Sequence, residues 1–285
     1  MLDVRRMTLL RELARRGTIA AVAEALSYTP SAVSQQLATL EREAGVPLLE
    51  RTGRSVALTP VAETLVAHTE QVLTTLEVAE AELRSAGGRV TGSLAIGAFA
   101  TAMRTLVTPA LVALSTDHPA LHVGVVEVDP ATAPGDLRAG GLDIALLHTY
   151  DGVPESRDPG LEYRPLLGEA LLLAGGPRTV ADAADQDWVT ASPGTLCHAA
   201  TVRICEAAGF TPRIRHHADD FAAVIALVDA GQGVALVPEL AADAATGFRP
   251  IGARRHTWLA YRNGTGGDPR VAAGLRALRT AATSR

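Results

Sequence analysis

One stretch of this chain, from Val61 to Ala86, contains neither glycine nor proline, and it therefore favours a single long helix. It follows Thr59 and Pro60, a capping residue and a proline suited to the first helical turn. A helix of that length extends about 40 Å, further than a small domain can cover. We therefore predict a linker and dimerisation helix at 60–88.

Apolar and small residues recur along this helix at alternating spacings of three and four, the a and d pattern of a coiled coil. They are Ala62, Leu65, Thr69, Val72, Leu76, Ala79, Leu83 and Ala86. One interpretation is that this face packs against its own domain. We favour pairing with a second copy of the chain, because a projecting apolar face requires a partner. The residues expected at this dimer interface are Leu65, Val72, Leu76, Ala79 and Leu83.

The residues before the long helix have the pattern of three short helices. Apolar residues repeat at helical spacing from Val4 to Ala14, and Gly17 follows as a stop. A second helix begins after Thr18, and a third begins after Thr29, which can cap a helix whose first residue is Pro30. Two short helices joined by a tight turn form a helix-turn-helix, whose second helix enters the major groove of DNA.

The outer face of the third helix carries uncharged polar side chains, which suit hydrogen bonding to base edges. A glycine-containing turn between two runs of strand character follows, and its arginines can reach phosphates as a wing. We predict a winged helix-turn-helix domain at 1–59. Its expected DNA contacts are Thr29, Pro30, Ser31, Ser34, Gln35, Thr39, Arg51, Arg54 and Ser55. The alternative is a three-helix bundle with a solvated polar face.

The formal net charge of the whole chain is −5, which alone argues against a polyanion partner. The charge is unevenly distributed, however. Residues 1–60 hold 8 arginines and 6 acidic residues, a balance of +2, and the rest holds 18 arginines and 25 acidic residues, a balance of −7. The acidic total is therefore compatible with a local DNA-binding surface at the N-terminal end.

The N-terminal segment resembles the winged helix of LysR-type transcriptional regulators. The resemblance is carried by "AAVAEALSYTPSAVSQQLATLE", by "GVPLLERTGRSVALTPVAE" and by the long helix that follows. In that family the start of the second helix of the motif reads bases. By position the resemblance implies base contacts from Pro30, Ser31, Ser34 and Gln35, and backbone or wing contacts from Arg51 and Arg54.

Beyond residue 90 the pattern changes to short apolar strands that alternate with helices. The strands are expected at 94–96, 123–128, 144–147, 171–174, 214–216 and 234–237. Such alternation is typical of an α/β domain with a mostly parallel sheet that is covered by helices on both faces. Ligands of such folds bind beyond the carboxyl ends of the strands.

The segments "GLDIALL", "AAGFTPRI" and "LVDAGQGVALVPELAA" resemble the effector domain of the same family, a two-lobed fold similar to periplasmic binding proteins of type 2. The resemblance implies an effector-binding domain at 91–285. Its first lobe is expected at about 91–162 plus 265–285, and its second at about 163–264, with a cleft between them. The candidate wall residues are Phe99, Thr101, His148, Thr195 and Phe221.

The chemistry of these wall segments guides the expected ligand. No arginine stands in them, so an anion would depend on hydroxyl groups and on N–H groups at helix starts. We therefore expect a small, largely apolar effector with one hydrogen-bonding or weakly anionic group, rather than a dicarboxylate or a phosphate. No cofactor is expected.

Three further groups of polar residues bear on metal, redox or catalytic chemistry. The run "HHADD" at 216–220 ends an apolar strand and lacks metal-ligand spacing, so a solvated strand end is favoured and no metal site is expected. Peroxide-sensing members of the resembling family use two cysteines in this region. Cys197 and Cys205 are eight residues apart, about 12 Å along one helix, which is too far for a disulfide. Buried, unreactive cysteines are therefore favoured over a redox pair, and no catalytic triad is recognisable.

The sequence thus predicts a transcriptional regulator that binds double-stranded operator DNA as a homodimer or homotetramer and responds to a small molecule. It contains no apolar run near the roughly 18 residues of a membrane span and no signal pattern, so a cytoplasmic location without membrane contact is expected. The alternative is a solute-binding protein or an enzyme of periplasmic-binding-like fold with an added helical domain.

Overall fold

The computed structural model describes residues 1–52, 55–86, 90–155, 157–242 and 247–284. The chain forms two compact units, Met1–Glu80 and Ala81–Arg285. The first unit contains α1 (Val4–Arg16), α2 (Ile19–Ala25), α3 (Pro30–Ala44), β1 (Leu49–Thr52), β2 (Ser55–Leu58) and most of α4 (Pro60–Ala86). This order is a helix-turn-helix followed by a two-stranded wing and a long helix, as predicted.

Local hydrogen bonds define the ends of the first helices. Gly17 closes α1 in the left-handed conformation with φ 74°, which glycine adopts at little cost. The Thr18 hydroxyl accepts a hydrogen bond from the Ala21 N–H at the start of α2. The Thr29 hydroxyl accepts one from the Ala32 N–H at the start of α3, where the proline needs no N–H partner. The predicted caps are therefore confirmed.

The core of the first unit joins the three short helices to the wing and to the start of α4. Its fully buried members include Leu10, Val33, Leu40 and Ala62, and Leu65 packs against them half-buried. Leu65 thus packs mainly in its own domain, and its expected contribution to a dimer interface stays a prediction. In the first two turns of α4, Ala62 is buried and Leu65 and Val66 pack half-buried against their own domain, where their transfer from water stabilises the fold.

The second unit begins with β3 (Gly92–Ala98) and contains two long strands. The remaining strands are β4 (Leu121–Glu127), β5 (Ile144–Tyr150), β6 (Leu161–Ala174), β7 (Asp187–Thr190), β8 (Arg213–His217), β9 (Ala235–Pro238) and β10 (Arg249–Arg262). The helices are α5 (Ala100–Ala102), continued by a π-helical turn, α6 (Thr108–Asp117), α7 (Ala133–Ala139), α8 (Leu196–Ala207), α9 (Phe221–Asp229) and α10 (Pro269–Thr283).

Six of these strands form one sheet in the order β4-β3-β5-β10-β6-β9, and β7 pairs with β8 separately. β3 runs parallel to β4 and β5, whereas β10 runs antiparallel to β5 and β6, and β6 runs antiparallel to β9. The expected mostly parallel sheet is therefore a mixed sheet. The difference comes from β10, which the apolar pattern did not identify, and from the first half of β6, where exposed and half-buried residues interrupt the apolar run.

The division into lobes passes through the two long strands. Leu259 and Tyr261, near the end of β10, share a core with Leu94 and Ile144 of the first lobe. Leu173, near the end of β6, packs instead with Trp188 and other residues of the second lobe. The pairing of β6 with β10 shifts register between Thr257 and Trp258. The predicted boundary after residue 264 therefore differs from the structure, which places the second half of β10 in the first lobe.

Candidate functional site

The outer face of α3 presents the polar side chains that the sequence predicted. Ser31, Ser34 and Gln35 are exposed, whereas Thr39 is half-buried; Thr29 and Pro30, at the start of the helix, are exposed as well. On the opposite face, Val33, Leu37 and Leu40 are buried and fix the helix to the domain core.

Hydrogen bonds separate these residues into two groups. The Thr29 hydroxyl is committed to capping α3 and lies 3.1 Å from the Ser31 hydroxyl. The Thr39 hydroxyl donates to the Gln35 carbonyl at 2.9 Å and accepts from Arg42 at 2.8 Å. The side chains of Ser34 and Gln35 have no hydrogen-bond partner within the described part of the chain. These two are therefore the side chains best placed to meet base edges.

Two side chains that the sequence did not single out support this surface. Arg6 of α1 donates to Gln36 at 2.9 Å and to Glu43 at 2.6 Å, which fixes the orientation of α3. Arg42 is exposed in the last turn of α3, where a guanidinium can reach a phosphate. The sequence could have identified Arg42 as a phosphate contact, because it is a basic residue in the last turn of the third predicted helix.

The wing is attached to α3 through one carboxylate. Glu41 accepts hydrogen bonds from the Leu48 and Leu49 N–H groups at 2.9 and 3.0 Å. The hairpin pairs Leu49 with Leu58 and Thr52 with Ser55. Arg54 and the side chains of Arg51 and Ser55 lie outside the described residues, so the wing contacts stay a prediction.

The later part of α4 exposes an apolar stripe. Val72, Leu76 and Leu83 are 37%, 46% and 77% exposed, and Ala79 between them is exposed too. Each exposed leucine costs free energy in water that burial against a partner would recover. These positions are available for the predicted dimer contact.

A cavity of about 230 Å³ lies between the two lobes of the second unit. All the predicted wall residues line it: Phe99, Thr101, His148, Thr195 and Phe221. Phe99 and Thr101 follow β3, and His148 lies in β5, so these three come from the first lobe. Thr195 caps α8 and Phe221 begins α9, so both come from the second. The structure thus brings together residues that are far apart in the sequence.

One wall residue contradicts the expectation that no arginine faces the ligand. Arg255 of β10 lines the cavity and is 1% exposed. Its Nε donates to Glu169 at 2.7 Å, and its guanidinium lies 4.9 Å from the ring centroid of Phe99. Its Nη2 is 2.7 Å from the same carboxylate oxygen but is not aligned for a hydrogen bond and has no hydrogen-bond partner among the described residues. The wall segments considered from the sequence did not include β10.

The charge on Arg255 is maintained in this buried position. Burial opposes the charge, but Tyr150 and Glu169 outweigh it, so the pKa of Arg255 is raised. Glu169 also accepts the Leu240 N–H at 2.6 Å, which satisfies its second oxygen. Glu169 therefore balances the positive charge of Arg255, and the pair adds little net charge to the cavity.

A short chain of weakly polar contacts lines the same wall. The Cys197 Sγ is 3.0 Å from the Tyr150 hydroxyl and 3.8 Å from His148 Nε2. Burial, reinforced by Arg255, holds the pKa of His148 well below its ordinary value. Burial also raises the pKa of the Cys197 thiol. At neutral pH the wall therefore presents a neutral imidazole and a protonated thiol.

The two cysteines lie on one helix, α8, as predicted. Cys205 is fully buried, and burial raises its pKa to about 12. A thiol with a raised pKa is a poor nucleophile near neutral pH. These properties favour the expectation of unreactive cysteines over a redox pair.

The segment 216–220 serves local structure. Asp219 accepts hydrogen bonds from the N–H and hydroxyl of Ser192 at 2.8 and 3.0 Å, and Asp220 caps α9. His217 lies 3.1 Å from the Ala191 carbonyl oxygen. Within the described ranges, no group of three or more His, Cys, Asp or Glu side chains could hold a metal ion.

A winged helix-turn-helix, a long helix and a two-lobed domain with a cavity between the lobes define the class of ligand-responsive, DNA-binding regulators. The chain belongs to the LysR family of transcriptional regulators. Residues 4–63 match the model of the bacterial regulatory helix-turn-helix proteins of that family, and residues 87–283 match the LysR substrate-binding domain. The protein is thus a DNA-binding transcriptional regulator of LysR type.

Relatives and solved structures agree with this assignment. The chain is 29% identical over 231 residues to the regulator AlsR of Bacillus subtilis, covering 77% of this chain and 74% of AlsR. Its fold is similar to a full-length OxyR variant from Pseudomonas aeruginosa, with a TM-score of 0.68, 21% identity and coverage of 99% and 95%. It is also similar to full-length CbnR in complex with its target DNA, with a TM-score of 0.55, 22% identity and coverage of 98% and 100%.

These comparisons also bear on the alternative interpretation. The similar curated proteins are named as transcriptional regulators and not as solute-binding proteins or enzymes. None of the helices in the described part of the chain combines the length and the apolar character of a membrane-spanning segment.

Proposed function

We propose that this regulator reads operator DNA with Ser34 and Gln35, pairs with a second copy along the apolar stripe of α4, and binds a small molecule in the cavity between its lobes. It acts in the cytoplasm, without a cofactor and without a catalytic step. The observation that carries the proposal is the convergence of residues from both lobes on one cavity. The structure of CbnR with its target DNA supports the role given to the winged domain.

The cavity supports regulation because its walls belong to two lobes. A ligand that contacts Phe99 in one lobe and Phe221 in the other binds one arrangement of the lobes better than another. The ligand then shifts the population of arrangements by its difference in affinity. No covalent change in the protein is needed.

The DNA-binding role is tested with two neighbouring glutamines of α3. Gln35 is exposed, whereas Gln36 accepts a hydrogen bond from Arg6. Gln35→Ala is expected to relax discrimination at one base pair by about tenfold, since a bidentate base contact contributes about 1–3 kcal/mol. Gln36→Ala serves as the control and is expected to keep the wild-type preference, because the ion pair of Arg6 with Glu43 still holds α3 in place. Selection of binding sites from random duplexes at fixed salt gives the readout, and identical preferences for Gln35→Ala and wild type would contradict the assignment.

The effector role is tested by filling the cavity. Ala100 lines the cavity, whereas Ala226 is exposed on α9 and does not line it. A compound that raises the melting temperature of the wild type is expected to lose its effect on Ala100→Trp and to keep it on Ala226→Trp. An equal rise in both variants would place the ligand elsewhere.

A further inference from the structure

The opening of the cavity carries three acidic residues from the two lobes. Glu127 and Asp129 come from the end of β4 and the loop after it, and Asp219 comes from the loop before α9. All three are exposed, which places them where the cavity meets solvent. No arginine or histidine of the described residues forms a salt bridge with any of them. The opening is therefore negatively charged.

The charged side chains of the interior do not offset this charge. Arg255 is the arginine in the lining, and Glu169 neutralises it at 2.7 Å. Much of the remaining wall is aromatic or aliphatic, with Phe99 and Phe221 facing the cavity from opposite lobes. A carboxylate or phosphate ligand would thus meet repulsion at the opening and a compensated cation inside.

The imidazole in the cavity wall does not offset the charge of the opening either. His148 lines the cavity and is 6% exposed, and its Nε2 lies 3.8 Å from the Cys197 Sγ. Burial holds the pKa of His148 well below its ordinary value, so the ring is neutral. It therefore adds no positive charge to a wall that the carboxylates of the opening face.

The carboxylates lie on different lobes, so their repulsion affects how closely the two lobes can approach each other. Asp129 belongs to the first lobe and Asp219 to the second, and both act electrostatically on the Cys197 thiol inside the cavity. When the lobes approach each other, these carboxylates repel, and a cation between them converts the repulsion into attraction. A cationic ligand therefore favours the closed arrangement of the lobes.

The walls of the cavity suit an organic cation better than a metal ion. A divalent ion requires several oxygen, nitrogen or sulfur ligands at short distance, and no group of ligating side chains that could hold one is found in the described ranges. Aromatic and aliphatic walls, in contrast, suit a hydrocarbon body. A volume of about 230 Å³ restricts the ligand to a compact molecule.

We propose, building on the effector role assigned above, that the effector is a small organic amine. Its ammonium group lies between Asp129 and Asp219, and its apolar body lies between Phe99 and Phe221, beside the neutral imidazole of His148. This assignment keeps the largely apolar body expected from the sequence and differs in the charge of the polar group, because the sequence did not show that Asp129 and Asp219 meet at one opening.

The test compares ligands that share one body and differ in charge. Thermal unfolding of the full-length protein is measured with millimolar 2-phenylethylamine, 2-phenylethanol and 3-phenylpropionate, with a panel of further aryl and alkyl amines, and with Mg²⁺ and Ca²⁺. Amines are expected to raise the melting temperature more than the alcohol, and the carboxylate and the metal ions are expected to have no effect. Added salt is expected to weaken the effect of the amines.

Charge-removing variants then locate the binding site. Asp129→Asn and Asp219→Asn each keep one oxygen that can accept from the backbone N–H that the carboxylate binds, that of Ala131 and that of Ser192, and the amide introduced by Asp219→Asn faces the Ser192 hydroxyl. Each is expected to weaken the best amine about tenfold, and Asp117→Asn, on the exposed end of α6, serves as the matched control. The double variant is expected to improve binding of 3-phenylpropionate.

The outcomes separate this proposal from the effector role itself. A carboxylate or alcohol that binds better than any amine, and loses its effect in Ala100→Trp, would overturn the amine assignment and leave the cavity as the effector site. Stabilisation by Mg²⁺ or Ca²⁺ that is lost in Asp219→Asn would overturn it in favour of a metal. Absence of any response to the amine panel would also overturn it.

Discussion

At the scale of single residues, the ion pair of Arg255 and Glu169 is the most consequential contact of the effector domain. The two side chains are 1% and 3% exposed, and their residues face each other across β10 and β6. A buried ion pair contributes little net stability compared with an apolar pair, because both ions lose their hydration. Removal of one partner is costly, because the other charge then stays buried and uncompensated.

Glu169→Gln is therefore expected to destabilise the effector domain by about 3–5 kcal/mol. Glu155→Gln is a matched control, because Glu155 is exposed and pairs with Arg157 at 2.5 Å, and such a surface pair contributes about 1 kcal/mol or less. Urea unfolding of both variants gives the comparison. If the two variants lose similar stability, the pair in β6 and β10 does not have the assigned role, whereas partial recovery in Glu169→Gln combined with Arg255→Met would support it.

The neutral state of His148 predicts a dependence of stability on pH. Its folded pKa lies well below the ordinary value of 6.5, because burial and then Arg255 disfavour the imidazolium. Below about pH 6.5 the unfolded chain takes up a proton that the folded domain does not. The contribution of neutral His148 to the free energy of unfolding is thus fully present above that pH. It is lost as the pH falls below it, by about 1.4 kcal/mol per pH unit.

His148→Gln is expected to remove this dependence. The difference in unfolding free energy between wild type and variant should shrink as the pH falls from 7.5 toward 5, at a slope of roughly 1.4 kcal/mol per unit. Denaturant unfolding at several pH values measures it. A constant difference over that range would mean that the folded domain accepts the proton.

At the scale of the elements, α4 has two distinct parts. Its first turns are held by the winged domain, where Ala62 and Thr69 are fully buried. Farther along, Val72, Leu76 and Leu83 are exposed. Apolar residues thus keep one spacing of three and four along the whole of α4. The first of them pack within the domain, and the later ones form a face that is available to a second chain.

Leu76→Glu is expected to dissociate the dimer at micromolar concentration, because it places a carboxylate from each copy in an apolar interface. Thr75→Glu introduces the same charge beside the stripe, on an exposed residue of the same turn, and is expected to leave the dimer intact. Sedimentation equilibrium measures both dissociation constants. Equal constants for the two variants and the wild type would show that α4 does not carry the dimer.

At the scale of the whole molecule, the chain consists of two compact units with separate cores. Such units unfold independently when few contacts join them. DNA binds the first unit and the effector binds the second, so each ligand stabilises a different part of the chain.

Differential scanning calorimetry of the full-length protein is therefore expected to show two transitions. An effector at 100 times its dissociation constant stabilises the effector domain by about 2.7 kcal/mol and raises one transition. Operator DNA is expected to raise the other. A single transition that responds equally to both ligands would show that the two units unfold as one.

The sequence by itself determined the parts of this protein that depend on neighbours along the chain. Thr18 and Thr29 cap helices through N–H groups three residues away, and Gly17 ends α1 by its own backbone conformation. Such bonds are local, so residue identity is sufficient to predict them. The resemblance of the sequence to the family placed the wall residues of the cavity, because each lies near the end of a strand or the start of a helix.

Only the tertiary structure decided which distant groups meet. Arg255 and Glu169 are 86 residues apart, and β10, which brings them together, is mostly polar before its short apolar end at Trp258–Tyr261. Leu65 turned out to face its own domain, since the spacing along α4 does not distinguish an intramolecular contact from a partner. The acidic opening likewise arises when Asp129 and Asp219 come from different lobes to the same cavity. Local sequence fixes backbone conformation, whereas the charge and shape of a cavity depend on pairings between residues far apart in the chain.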